Sequence, residues 1–298
     1  MNLSQAAILA PVPPVGRYLF FSIRQTHALR SSLSRLLELV DGTQVLAGFG
    51  PELMRALEVD VPGLHPLEAL SGHGVQVPST PVALCCWLRG TDRGDLLLLT
   101  RQLEKALAPA LHLDQVIDAF RHGQGPNGHG RDLTGYEDGT ENPVDDAAQA
   151  AALVQDGGPG LAGSSFMAVQ QWRHDLDAFE AMASTEQDNL VGRRRSDNEE
   201  LEDAPLSAHV KRTAQESFEP EAFVVRRSMP WTLGKEAGLV FVAFGKSFDA
   251  FEAQMRRMAG QDDGVTDAMF RISQPVTGAF FWCPPLRDGR LDLSLVGL

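Results

Sequence analysis

Short apolar runs, punctuated by Gly and Pro, recur along the 298-residue chain. Arg17 to Ile23 is aromatic and apolar and reads as a strand. Leu29, Leu33, Leu36, Leu37 and Val40 fall at helical spacing, which predicts an amphipathic helix from His27 to Val40. A second strand follows from Thr43 to Phe49, and Pro51 then opens a short helix to Leu57, at a position where its missing N–H costs nothing. Pro81 to Leu88 is continuously apolar and reads as a buried strand; Asp92 to Ala108 and Leu113 to Arg121 read as helices. A similar inventory follows a central loop. Pro143 to Val154 turns from acidic to Ala-rich and predicts a helix, and Phe166 to Trp172 alternates as a strand. Leu176 to Met182 and Ser184 to Leu190 read as helices, the second with cap-like residues in Ser184-Thr185-Glu186-Gln187. Phe223 to Ser228 and Leu239 to Phe244 are predicted strands. The helix from Phe248 to Ala259 carries Phe251, Met255 and Met258 on one stripe, and Ala279 to Cys283 is a last strand before Pro284-Pro285. The pattern is that of an α+β chain built from two similar units.

The central loop, Asp132-Leu133-Thr134-Gly135-Tyr136-Glu137-Asp138-Gly139-Thr140-Glu141-Asn142-Pro143, is too rich in turn formers for a helix or a central strand. Gly139 beside Asp138 lets backbone approach a flat ligand while a carboxylate points at it. On these residues alone, an acidic surface turn explains the loop equally well. Two histidines stand out of eight, His209 in Ala208-His209-Val210 and His174 in Trp172-Arg173-His174-Asp175. Either is a candidate iron or metal ligand, and either also reads as an ordinary structural histidine. Arg226 and Arg227 are adjacent on a predicted strand, so they point to opposite faces and only one can serve a given pocket. Trp87, Trp172, Trp231, Trp282, Tyr18 and Tyr136 are available as electron relays or as core.

Composition narrows the partners. A net charge of −13 argues against nucleic acid and anionic membrane surfaces, and favours neutral or cationic small molecules. The three cysteines, Cys85, Cys86 and Cys283, form neither a disulfide framework nor a zinc or c-type haem motif, so free buried thiols are expected. The N-terminus lacks a secretory pattern and no apolar run is long enough to cross a membrane, which makes the cytoplasm the expected location.

Gly135-Tyr136-Glu137-Asp138-Gly139, with Thr140-Glu141-Asn142-Pro143 after it, resembles the GxxDG signature of the dye-decolourising peroxidases, bacterial B-type branch. Arg17-Tyr18-Leu19-Phe20-Phe21, Gln171 to Leu176, Ala208-His209-Val210, Val225 to Pro230 and Pro275-Val276-Thr277-Gly278 resemble the same branch in the same order. The resemblance implies two ferredoxin-like halves, with antiparallel sheets and peripheral helices in a barrel-like α+β arrangement. Residues 1–130 would form the first half, 131–165 the distal loop and linker, and 166–298 the half carrying the haem pocket. It implies one non-covalent haem b per chain, with His209 as proximal iron ligand and Asp267 as the candidate acceptor for its second nitrogen. Arg271 stands where relatives carry an acid. Asp138 and Arg226 would be the distal catalytic groups, with Ser228 beside them. Gly139, Thr140 and Glu141 would contact the cofactor, and Arg193, of the run Arg193-Arg194-Arg195, would meet a propionate. The implied activity reduces H2O2 and oxidises dyes, phenols and other aromatic donors through an oxo-ferryl intermediate. The alternative is a haem- or porphyrin-handling protein; a haem-free binding protein is a third reading. A homo-oligomer, at least a dimer, is implied. The tail Ser294-Leu295-Val296-Gly297-Leu298 faintly resembles the peptides that dock relatives into encapsulin shells, and otherwise reads as a plain chain terminus.

Overall fold

The structure, a computed structural model, describes residues 4–298. Its strands are β1 (Val15–Ile23), β2 (Val45–Phe49), β3 (Leu70–Gly72), β4 (Val75–Val77), β5 (Leu84–Gly90), β6 (Leu111–Phe120), β7 (Ser165–His174), β8 (Val225–Arg226), β9 (Met229–Leu233), β10 (Glu236–Gly245), β11 (Ser273–Pro275), β12 (Ala279–Cys283), β13 (Leu286–Arg287) and β14 (Arg290–Leu291). The helices are α1 (Leu29–Leu36), α2 (Pro51–Ala56), α3 (Arg93–Leu107), α4 (Asp145–Ala152), α5 (Leu176–Glu180), α6 (Ser184–Val191), α7 (His209–Arg212) and α8 (Asp249–Met258).

Eight strands run round a closed barrel in the order β7-β12-β2-β5-β1-β6-β9-β10, and β10 pairs back onto β7. All of these pairs are antiparallel. Two seams are thin: β12 meets β2 only at Trp282 and Phe49, and β6 meets β9 only at Ala119 and Trp231. The seams separate the sheet β2-β5-β1-β6 from the sheet β9-β10-β7-β12. Numbered along the chain within each sheet, both have the order 2-3-1-4, with helices in the crossovers. The fold is thus α+β, two ferredoxin-like sheets joined edge to edge.

Period-two alternation builds two apolar layers from one set of strands. Tyr18, Phe20, Leu46, Cys85, Trp87, Met167, Val169, Val242 and Phe281 pack together inside the barrel. Their neighbours Leu19, Phe21, Ala47, Cys86, Ala168 and Phe280 face outward beneath the helices. α3 shows how a helix is fixed there. Asp92 caps it by accepting from the amides of Gly94 and Asp95 at 2.8 and 3.0 Å, and Leu96, Thr100, Leu103 and Leu107 form its buried stripe. Cys85, Cys86 and Cys283 are free and buried, and burial pushes the Cys86 thiol up to about 12. Among the described residues no helix is long and apolar enough to cross a membrane.

One predicted helix is a strand. Leu113 to Phe120 lies within β6 and Arg121 follows it; along the strand Leu111, Ile117 and Ala119 are buried and His112, Asp114 and Val116 are exposed. The helical spacing was local coincidence; a bulge opposite Phe20 and Phe21 blurs the two-residue period that decides the element. Ser184 to Gln187 are not a cap either: Ala183 holds that position and no side chain caps α6.

Candidate active site

The loop from 131 to 143 is tied down at three places. At its start, Asp132 accepts from the Thr134 hydroxyl at 2.8 Å and faces His174 Nε2 at 3.2 Å, while His174 Nδ1 lies 2.7 Å from the Ser273 hydroxyl. In the middle, the Tyr136 hydroxyl donates to Asp188, which also accepts from the Arg195 amide. At its end, the Asn142 carboxamide bonds both backbone groups of Arg226. Gly139 turns the chain at φ +83°, which an L side chain rarely adopts. Asp138 sits between these anchors. Its amide donates to the Gly130 carbonyl, and its carboxylate has no hydrogen bond or ion pair among the described residues.

His174, the rival histidine, is therefore structural, with both ring nitrogens engaged. Burial alone would raise the Asp132 carboxyl, but the hydrogen bond and charge of His174, with Thr134, outweigh it and hold the group below the ordinary carboxylate range. A depressed folded pKa stabilises the fold above the unfolded value of about 3.9 and loses that contribution as pH falls through the lower, folded value. Asp132→Asn should accordingly cost about 1–3 kcal/mol near neutrality. Denaturant unfolding of the two proteins should converge in acid. A gap that stays constant with pH would mean that Asp132 acts through shape, not charge.

His209 opens α7. Its Nδ1 lies 2.8 Å from Asp267 Oδ2, and a carboxylate only accepts, so Nδ1–H donates, and in the neutral imidazole this leaves Nε2 with its lone pair. Asp267 is buried, and its other oxygen accepts from the Met269 amide at 2.8 Å. Arg212, one turn on from His209, grips Asp263 with two bonds of 2.7 Å and so holds α7 against the end of α8. Arg271 pairs instead with Glu186.

His209, Asp138 and Arg226 line one cavity, with Trp172, Leu239, Phe241, Phe251, Met255, Met258 and Met269 among its walls. The predicted α8 stripe of Phe251, Met255 and Met258 thus faces this cavity. The space is about 80 Å³ and it adjoins a cleft of about 640 Å³, with Asp138, Arg226 and Leu239 lining both. The Arg226 guanidinium has no partner among the described residues, and its Nε is buried unsatisfied. Arg227 turns away and donates to the carbonyls of Leu9 and Arg226. Burial pushes its pKa down to about 10, helped by nearby Arg89.

The remaining predicted residues lie outside this cavity. Ser228, Gly139 and Thr140 line the outer cleft, and the Ser228 hydroxyl accepts from the Val242 amide at 3.3 Å. Glu141 is exposed and pairs with Arg193 at 2.6 Å; Arg193 also meets Glu200 and the Asn198 carbonyl. Gln170, Gln254, Thr213 and Met269 line the cavity without having been singled out in the sequence, where isolated amides and a methionine carry no signal.

Residues 129–288 match the family model described as Dyp-type peroxidase, C-terminal. The chain belongs to the Dyp-type peroxidase family. A relative named dye-decolorizing peroxidase, from Mycolicibacterium paratuberculosis, is 33% identical over 227 residues, 74% of this chain and 63% of that one. A DypB variant from Rhodococcus jostii RHA1, solved in complex with heme, superposes with a TM-score of 0.84 at 26% identity, covering 93% of this chain and 95% of that one. The encapsulated DyP-type peroxidase from Mycobacterium smegmatis superposes at 0.82 with 25% identity, covering 96% of each chain. The DypB likeness agrees with the B-type branch.

Proposed function

We propose that this member of the family is a haem peroxidase that reduces H2O2 and oxidises aromatic donors such as dyes and phenols, with His209, Asp138 and Arg226 carrying the chemistry. The observation that carries the reading is the pairing, across one apolar cavity, of a carboxylate-backed imidazole with two unpartnered charged groups. A free carboxylate and a free guanidinium facing a His are costly to maintain, which storage or transfer of a porphyrin does not require. That disfavours the haem-handling alternative.

The residues present fit haem. His209 offers Nε2 to iron while Asp267 fixes its tautomer and raises its basicity. The Phe and Leu walls suit the macrocycle faces. Seating it requires the cavity to widen, and Met255, Met258 and Met269 are its adaptable members. Arg193 is the proposed propionate partner; a propionate there takes the place of Glu141. Haem, when bound, supplies an iron that coordinates peroxide and accepts its oxidising equivalents. Asp138 takes the proton from the near oxygen of peroxide and returns it to the departing one. Arg226 meets the negative charge that grows as the O–O bond stretches. Ser228 contributes only from the cleft side.

The encapsulated relative supports a cargo role and a cytoplasmic location here too, and an oligomer of at least two chains belongs to the same reading. The tail is packed down in this fold. Val296 is buried, and Arg30 donates to its carbonyl at 2.9 Å, so docking through the tail requires its release.

The test is the visible spectrum of haem-loaded protein, rapidly mixed with one equivalent of H2O2. A fast change in the haem absorption, reversed by a phenolic donor, is expected. Slow bleaching alone would leave haem handling as the better account.

A further inference from the structure

The distal pair comes from two separate segments, Asp138 from a loop and Arg226 from a two-residue strand at the edge of the sheet. Neither catalytic side chain is held by a partner of its own. Something else must fix their separation.

β8 pairs with β10 on one side only, with Arg226 opposite Ala243. On that side it is the next amide, of Arg227, that bonds the Val242 carbonyl, at 2.9 Å. The N–H and C=O of Arg226 therefore face away from β10. Asn142 satisfies both: its Oδ1 accepts from the Arg226 amide at 2.7 Å and its Nδ2 donates to the Arg226 carbonyl at 3.1 Å. The carboxamide stands in for the neighbouring strand that the edge lacks. The Asn142 amide donates to the Gly139 carbonyl at 3.2 Å, so the same residue closes the turn that carries Asp138. Buried Gln215 makes a second bridge. Its Nε2 donates to the Glu141 carbonyl at 2.7 Å and its Oε1 accepts from the Val224 amide at 2.9 Å. Gln215 follows closely on α7, which begins at His209. Two side-chain amides thus tie the loop of Asp138 to the strand of Arg226, and one ties both to the segment of His209.

We propose that Asn142, seconded by Gln215, is the positioning residue that sets the separation of Asp138 from Arg226. The inference rests on the peroxidase reading. A carboxamide suits the task at any pH, because it offers one donor and one acceptor at fixed spacing without titrating. Asn142→Ala removes both bonds. Asn142→Asp keeps the acceptor, loses the donor and sets a carboxylate against the Arg226 carbonyl. Once protonated, that carboxyl again offers one donor and one acceptor.

The test compares holoenzymes of wild type, Asn142→Ala, Asn142→Asp and Gln215→Leu. The second-order rate constant with H2O2, per bound haem, should fall about ten- to a hundred-fold in Asn142→Ala, in line with the cost of slight misplacement of catalytic groups. Oxidation of a phenol by already peroxide-treated enzyme should stay within about two-fold, since the distal pair acts only on peroxide. The ratio of Asn142→Asp to wild type should climb as pH falls through the carboxylate range, while the ratio for Asn142→Ala stays flat. Hydrogen exchange supplies a readout independent of turnover: the Arg226 amide should exchange faster in Asn142→Ala and be partly spared in Gln215→Leu. An unchanged peroxide rate constant per haem, with exchange accelerated, would show that the clamp is structural only and overturn the proposal. Unchanged exchange would overturn it as well. If wild type itself fails to react with peroxide, the peroxidase reading falls, and the exchange data still decide whether the clamp exists.

Discussion

Replacing Arg226 with Ala should slow the reaction with H2O2 by about a hundred- to a thousand-fold, as loss of a preorganised charge-stabilising donor does elsewhere. Haem content should be nearly unchanged, because Arg226 lines the cavity without being the iron ligand. Asp138→Ala should act on the same step, by about a hundred-fold or more, through the lost proton shuttle. On the proposed reading the two groups serve one transition state, so the double variant should be much less impaired than the product of the single effects. The relative sizes answer which of the pair dominates. A larger loss in Asp138→Ala makes proton transfer the harder part; a larger loss in Arg226→Ala makes charge development so. If peroxide reacted at the wild-type rate in both, the cavity would not be the reaction site, whatever it binds.

Much of this was legible in the chain because the informative positions carry strong local constraints. Gly139 beside Asp138 announces a turn with a carboxylate on it, and the turn adopts the positive φ that only glycine takes easily. The two-unit pattern was legible because β1, β5, β7 and β10 are long apolar strands whose burial leaves no other reading. β6 was not, since its polar residues and its bulge imitate a helical stripe. β9 was missed for a different reason. Its five residues include Pro230, which offers no N–H to a ladder, and the strand tolerates it at a thin seam. Bulk charge says little about a local pocket. The net charge of −13 favours neutral or cationic small molecules, and the outer cleft mixes Asp132, Asp138 and Asp145 with Arg121, Arg131 and Arg227, whose side chains meet only backbone carbonyls or nothing among the described residues. The contributions of Asn142 and Gln215 were illegible in principle. An amide that bonds backbone leaves no periodicity or spacing to read, only a place in the fold.

The proximal side offers the other large effect. In His209→Ala the haem should lose its protein ligand to iron, and its absorption spectrum should change to that of a haem without axial nitrogen, with peroxide turnover reduced at least about a hundred-fold. Added imidazole, small enough for the space the side chain leaves, should restore part of both, because the remaining wall is intact. Failure of rescue, with haem still bound and its spectrum unaltered, would remove His209 from the iron. Asp267→Asn is the finer probe. Asn caps the turn after it as Asp does, by accepting from the Met269 amide, so the local backbone should hold. Asn has one acceptor where Asp267 uses two, so with its oxygen on the Met269 amide its NH2 faces His209 Nδ1, and the imidazole loses both the negative charge and the acceptor that fixes its tautomer. The variant therefore reports the combined contribution of charge and tautomer control by Asp267 to the imidazole. A less basic ligand donates less to ferric iron, so the reduction potential should rise and peroxide turnover fall about ten- to a hundred-fold. If the potential does not move while Asp267→Ala destabilises the protein, then the 2.8 Å contact positions the ring and does not tune it.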